Sequence, residues 1–278
     1  MYQSILRPKE VVITDDNYLE FAPPQDAVID GEKKGYGHMP RDYEAIPEGS
    51  MGFCAPFNLP LIPRSEWRDR IEKMERDKTR LSDVADQAGL KSLNQSNTNY
   101  CWTNAVITAM HTLRAWQNQP FVELSSASVA AKIKNYRNQG GWGTQALDYI
   151  VENGVAPASL WPVNYWQSNK YDTAECQAER KKYSVKKWWE LKARSFDQMM
   201  TCLLLRIPVP IGLNWWSHEI CAMDPVVIRT ATRSEDCDYG PRIRNSWGDS
   251  YGDHGFAVLN QSKGTPDDAV APQTADEL

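Results

Sequence analysis

Helical patterning comes first in this chain and strand patterning second, and that order limits the fold more than any other feature. Between Glu66 and Gln87 the residues Ile71, Met74, Leu81, Val84 and Ala85 recur on one stripe at helical spacing, with Ala88 just beyond. Charged side chains take the other faces. A loop rich in Asn, Ser and Thr leads into a second helix predicted from Cys101 to about Asn118. Its apolar positions Ala105, Val106, Ala109, Met110, Leu113 and Trp116 cover enough surface for a buried helix. Further helix is predicted over 125–137 and over 143–153, the latter ended by Asn153-Gly154. Beyond 157–166 the pattern becomes short apolar runs between turn formers: 208–213, 221–223, 226–228, 242–244 and 256–259. Helices followed by strands imply an α+β fold of two lobes, one helical and one a small antiparallel sheet or barrel.

Three segments are expected. Residues 1–60 are rich in Pro, Gly and charge and read as an extended N-terminal arm; 61–263 form the domain proper; 264–278 read as a polar tail. The arm is open to three readings: a docking or packing device for a partner, an unconventional inhibitory segment, or a mobile leader.

Composition removes several function classes. The net charge of −5 carries no basic stripe, so a nucleic-acid partner has no electrostatic footprint. No apolar run approaches a membrane span or a signal-peptide core, so neither a membrane partner nor the general secretory route is expected. The expected location is cytoplasmic or within a particle. The six cysteines are scattered singly with no metal-ligand spacing, and with four histidines they suggest neither a metal site nor a cofactor. Such isolated cysteines fit a reducing compartment.

Cys101 opens a helix, where free backbone N–H groups and the positive end of the dipole favour thiolate, the nucleophilic form. A nucleophilic thiol needs a base, and the base an orienting group. Among the histidines, His111 lies too far along the same helix, His38 is in the irregular arm, and His254 is in a Gly-rich turn. His218, beside a candidate strand, is favoured.

The segment Asn94-Gln95-Ser96-Asn97-Thr98-Asn99-Tyr100-Cys101-Trp102 resembles the active-site segment of papain-like cysteine peptidases. Downstream, Asn245-Ser246-Trp247-Gly248 resembles that family's Asn-Ser-Trp-Gly segment. Gly140-Gly141-Trp142 resembles the stretch lining its non-primed substrate groove, and Glu66-Trp67-Arg68 its mature N-terminus. The order Cys101, His218, Asn245 is similar to that of the family's catalytic residues along the chain.

The resemblance implies a Cys101 thiolate paired with a His218 imidazolium, Asn245 orienting that ring, Trp247 shielding it, and Gln95 completing the oxyanion hole. It further implies that Gly140, Gly141 and Trp142 bind substrate backbone. Glu219, where the family commonly has a small residue, either enters the main specificity pocket, favouring a basic side chain, or forms a solvated or salt-bridged rim carboxylate. Two departures stand out. The family's disulfide near the nucleophile is replaced by Thr98 and Asn138, and the approach to the histidine is shortened to Asn214-Trp215-Trp216-Ser217. The implied activity is hydrolysis of a peptide or protein substrate. Alternatives are a catalytically silent structural or assembly protein, for example on a particle or virion, and a thiol amidase acting on cell-wall or isopeptide bonds.

Overall fold

The structure is a computed structural model describing residues 6–229 and 237–273. The helical stripe between 66 and 87 forms two helices, α2 (Arg64–Asp77) and α3 (Leu81–Gln87), after the single turn α1 (Tyr18–Phe21). Lys78 separates them in a left-handed conformation (φ 54°), its N–H bonded to the carbonyls of Glu75 and Met74. Such a residue closes a helix whatever the periodicity beyond it. The next helix, α4 (Cys101–Trp116), is buried without interruption from Cys101 to Arg114. Of the stretch 125–137 only α5 (Ala127–Ile133) is helical, whereas α6 (Gly143–Asn153) has the expected bounds and stops at Gly154. Two shorter helices follow, α7 (Ala174–Arg180) and α8 (Phe196–Leu204).

Ten strands are described: β1 (Val12–Ile13), β2 (Val28–Ile29), β3 (Glu32–Lys33), β4 (Cys54–Pro56), β5 (Trp188–Glu190), β6 (Val209–Leu213), β7 (His218–Arg229), β8 (Cys237–Arg244), β9 (Phe256–Leu259) and β10 (Asp268–Pro272). Eight form one sheet in the order β1-β9-β8-β7-β6-β10-β5-β4, and β2-β3 is a separate hairpin. The segment expected to be a polar tail, 264–278, thus supplies β10, a fully buried strand between β6 and β5. Its Asp, Ala, Val and Pro composition hid the burial because Asp268 is itself buried. The arm is likewise not a separate appendage. Its β1 adds in parallel to β9 and its β4 in parallel to β5, so it finishes both edges of the sheet.

Two apolar cores give two lobes. One gathers Tyr100, Trp102, Val106, Leu147, Trp161 and Trp188 around α4, α5 and α6. The other gathers Trp67, Met199, Ile211, Trp216, Ile220 and Trp247 between the sheet and α2 and α8. Below the sheet, Arg242 is wholly buried, its Nε and Nη2 donating to Glu10 (2.5 and 2.9 Å) and its Nη1 to Asp224 (3.4 Å). A buried guanidinium demands such partners, so Glu10 anchors the arm to β7 and β8. No described helix is long and apolar enough to cross a membrane. None of the five cysteines with described side chains forms a disulfide.

Candidate active site

The first residue of α4 is Cys101, and the sheet brings its neighbours from the other lobe. The four residues Asn214–Ser217 form a tight turn, with Trp216 N–H bonded to Leu213 O (3.1 Å) and Ser217 N–H to Asn214 O (3.2 Å). His218 therefore opens β7 directly opposite Leu213. The following residue, Glu219, donates its backbone N–H to Cys101 Sγ at 3.3 Å. The shortened approach is a hairpin that delivers the histidine strand against the sulfur.

On β7 the His218 Nε2 lies 2.8 Å from Asn245 Oδ1, while Nδ1 is buried with no partner. Trp247 packs over the histidine with ring centroids 4.8 Å apart. Gln95 is fixed without a disulfide. Its Oε1 accepts from Ser246 Oγ (2.6 Å), its backbone N–H donates to Ser246 O (2.9 Å), and Thr98 Oγ1 donates to its carbonyl (2.7 Å). Asn138 completes the substitution by accepting the Asn99 N–H at 2.6 Å. Thr98 and Asn138 thus tie the loop by hydrogen bonds where the family has a covalent link.

The cleft is occupied by the arm. The carbonyl of Tyr36 accepts from Gln95 Nε2 (3.2 Å) and from the Cys101 N–H (3.4 Å). Upstream, Gly35 O accepts from Trp247 Nε1 (3.1 Å) and Gly35 N–H donates to Ser96 O (2.8 Å). Downstream, the N–H groups of Gly37 and His38 meet Ser217 O, Gly141 N–H donates to Gly37 O (2.9 Å), and Trp142 Nε1 donates to Met39 O (2.7 Å). His38 pairs with Gly141 in parallel. A Cβ on Gly140 would collide with Gly37 O, and one on Gly141 with the Trp102 ring, so the bare backbone of this wall permits the close approach.

Under this cover burial disfavours the charged form of both partners. Burial pushes the Cys101 thiol well above its ordinary value, the nearby Glu219 charge adding to the effect. Burial also lowers His218 to about 3, although its bond to Asn245 works in the opposite direction. In this enclosed site burial therefore works against the thiolate–imidazolium pair and favours the uncharged form of each group.

A model of the papain family of cysteine proteases matches residues 82–271, a span holding Gln95, Cys101, His218 and Asn245. The chain belongs to the papain family of cysteine proteases. Among curated relatives it is 24% identical to cathepsin L 2 of Paramecium tetraurelia over 179 residues, 60% of this chain and 54% of that protein. The chain spans about half the length of the curated relatives it matches. Among solved structures it resembles xylellain, a cysteine protease from Xylella fastidiosa (TM-score 0.57, 17% identity, 88% of this chain and 98% of that one). It also resembles digestive procathepsin L 3 of Tenebrio molitor (TM-score 0.57, 15% identity, 86% and 75%).

In this papain-family site Glu219 is buried and not solvated, and its Oε2 accepts the Gly143 N–H at the start of α6 (3.1 Å). Beside it lie two residues that sequence reasoning missed, His38 of the arm and Asp268 of β10. His38 Nδ1 stands 3.7 Å from Glu219 Oε2, and its Nε2 3.9 Å from Asp268 Oδ2 and 3.0 Å from Asn214 Oδ1. Burial opposes a charge on His38, but Glu219 and Asp268 outweigh it and raise the imidazole to about 8. Burial raises Glu219 to about 7 and raises Asp268 as well. A signal for His38 was present: Gly35 and Gly37 flank Tyr36, a pattern suited to backbone squeezed against backbone. Asp268 carried none. Of the set-aside histidines, His111 is buried and accepts the Leu124 N–H (3.1 Å), and His254 is exposed.

Proposed function

We propose that this chain is a latent thiol-dependent peptide-bond hydrolase whose own arm fills the cleft. The observation that carries this reading is the Tyr36 carbonyl, a peptide oxygen held jointly by Gln95 Nε2 and the Cys101 N–H. Those two donors are placed for the oxygen that becomes negative when a peptide carbonyl is attacked. One such donor is typically worth about 3 kcal/mol of transition-state stabilisation.

With the arm displaced and water admitted, Cys101 passes its proton to His218 Nδ1, and the thiolate adds to the substrate carbonyl carbon. Asn245 Oδ1 accepts the Nε2–H, which leaves Nδ1 for that transfer. The tetrahedral adduct collapses with rupture of the C–N bond as His218 protonates the departing amine. His218 then takes a proton from water, which hydrolyses the thioester and restores the thiol. Hydrolysis of a peptide or protein substrate needs no group beyond these side chains and water.

The arm itself escapes this sequence because of its direction. Residues following the Tyr36 carbonyl, not those preceding it, lie along Gly140–Trp142, the wall assigned to the acyl part of a substrate. The nitrogen that would leave, Gly37 N, is held by Ser217 O at 3.3 Å. A reversed strand fills the groove without presenting its amide for expulsion.

A second reading, a catalytically silent structural protein on the same fold, is favoured by the completeness of that cover. Hydrolysis of internally quenched peptides under reducing conditions decides between them. Turnover that is lost in Cys101→Ala, with the fold retained, supports the hydrolase; turnover retained in Cys101→Ala refutes it.

A further inference from the structure

Three side chains from distant parts of the chain meet in one pocket: His38 of the arm, Glu219 of β7 and Asp268 of β10, all buried. One nitrogen or carboxylate oxygen from each lies within 4.8 Å of the others. They do not satisfy one another. His38 Nδ1 stands 3.7 Å from Glu219 Oε2, and its Nε2 3.9 Å from Asp268 Oδ2, both too long for hydrogen bonds. Glu219 Oε1 and His38 Nδ1 are buried without a partner. Nearby cations are committed elsewhere: Arg41 pairs with Glu190, and Arg194 with Asp267 at 2.9 Å. Gly212 lies beneath, where a Cβ would strike the His38 ring and Asp268 Oδ1, so the strand is bare where the three converge.

Two ionised carboxylates and one imidazolium leave a net negative charge out of water, which is unfavourable. A divalent cation with a neutral imidazole balances the same carboxylates and uses the unpartnered atoms. The spacing suits it: a point among atoms at most 4.8 Å apart lies no more than about 2.8 Å from each. Zinc binds nitrogen and oxygen at about 2.0 to 2.2 Å, so closure takes shifts of less than about 1 Å. Asn214 Oδ1, 3.0 Å from His38 Nε2, or a water fills a fourth position. An imidazole in the set disfavours calcium and magnesium, which take oxygen ligands, and suits zinc. The sequence hid the set because its members share no local spacing.

We propose that His38, Glu219 and Asp268 are the ligands of a zinc ion that clamps the arm into the cleft. The proposal rests on the path of the arm and not on hydrolysis. His38 follows Gly37, whose N–H meets Ser217 O and whose carbonyl accepts from Gly141 N–H, so a metal there pins the segment that covers Cys101. Because the ion binds the covered form, it favours that form by mass action, and removing it favours release of the arm. The ion and a proton compete for His38, so the pH response of His38 belongs to the metal-free chain, prepared in chelator.

The test uses the full chain carrying Cys101→Ala, so that zinc cannot act on the thiol, and no readout depends on turnover. The chain is freed of metal with chelator and titrated calorimetrically with zinc chloride, with magnesium chloride in parallel. One zinc per chain is expected, with a raised melting temperature and slowed amide hydrogen exchange over residues 35–41, and no binding of magnesium. His38→Gln, Glu219→Gln and Asp268→Asn should each weaken zinc by ~100-fold or more, since loss of even an outer-shell partner costs 10- to 100-fold. Gly37→Ala, which lifts the arm as argued in the Discussion, should weaken zinc as well, and Gly52→Ala should not. Where a ligand variant fails to fold, cobalt(II) bound to the Cys101→Ala chain reports the site: a tetrahedral spectrum without thiolate charge transfer upholds it. No zinc binding, a thiolate band with cobalt, or zinc affinity unchanged in all three folded variants overturns the site. Zinc bound through these residues with exchange over 35–41 unaltered overturns the clamp.

Discussion

Gly37→Ala should convert a covered enzyme into an open one. Gly37 has φ +123°, and a Cβ there would fall well inside 3.0 Å of the Asn99 carbonyl oxygen, closer than Cβ atoms approach anything. Asn99 is held by Asn138 and cannot yield cheaply, so the arm must move. Five hydrogen bonds then go: two to Tyr36 O, one each to Gly37 O and Met39 O, and one from Gly37 N. At about 1 kcal/mol net apiece they amount to ~5 kcal/mol of docking. Loss of even ~3 kcal/mol raises the open population roughly a hundredfold. The assay is the initial rate on a quenched peptide, with melting temperature as the check on folding. Gly52→Ala is the arm control, since its nearest neighbour would lie 3.9 Å away. A folded Gly37→Ala chain with an unchanged rate would refute the gating argument.

Three further outcomes are expected. In the Gly37→Ala background, Asn245→Ala lowers kcat by ~10- to 100-fold without abolishing it, because it aims the base without touching substrate; a KM change alone would contradict that role. His38 faces Glu219, Asp268 and Asn214, and its pKa rises from 6.5 to about 8 in the covered state. Its charge therefore supports docking fully below pH 6.5, and that support is lost as pH rises through 8. The wild-type rate, divided by the Gly37→Ala rate at each pH, should climb across that window and climb less steeply in His38→Gln, where the raised carboxyls of Glu219 and Asp268 still titrate; a slope unaffected by His38→Gln would exclude it. Finally, Glu10→Ala removes the carboxylate that accepts from Arg242 Nε and Nη2, keeping Asp224 at 3.4 Å, and should lower unfolding free energy by ~3 kcal/mol in denaturant titration. A change below the measurement error would mean that the arm anchor contributes nothing.

The lobes were legible because α4 and α6 bury apolar faces at helical spacing and the strands of the second half are short apolar runs. The grouping of Gln95 and Asn245 around the Cys101 end of α4 was legible because these residues sit in compact local motifs, 94–102 and 245–248. What failed was everything set by distant pairing. The strand at 268–272 is called into the sheet by β5 and β6, and nothing within five residues announces that. The arm reads as irregular because it has no periodicity of its own; its order comes from Gly141, Ser217 and Gln95, each contributed by another part of the chain. His38 was set aside for lying in that arm, yet its place in the pocket depends on the two glycines that let Tyr36 thread between Gln95 and Trp247.

The central claim, a competent thiol beneath a removable cover, is tested most directly by a peptidyl epoxide that alkylates active-site thiolates. Intact-mass and peptide mapping should show one adduct per chain, on Cys101, forming slowly in the wild type and far faster in Gly37→Ala. Half-buried Cys54, the one described cysteine not enclosed, is the internal control for nonspecific reaction. No adduct on Cys101 in the folded Gly37→Ala chain, or labelling of Cys54 in its place, would contradict the account.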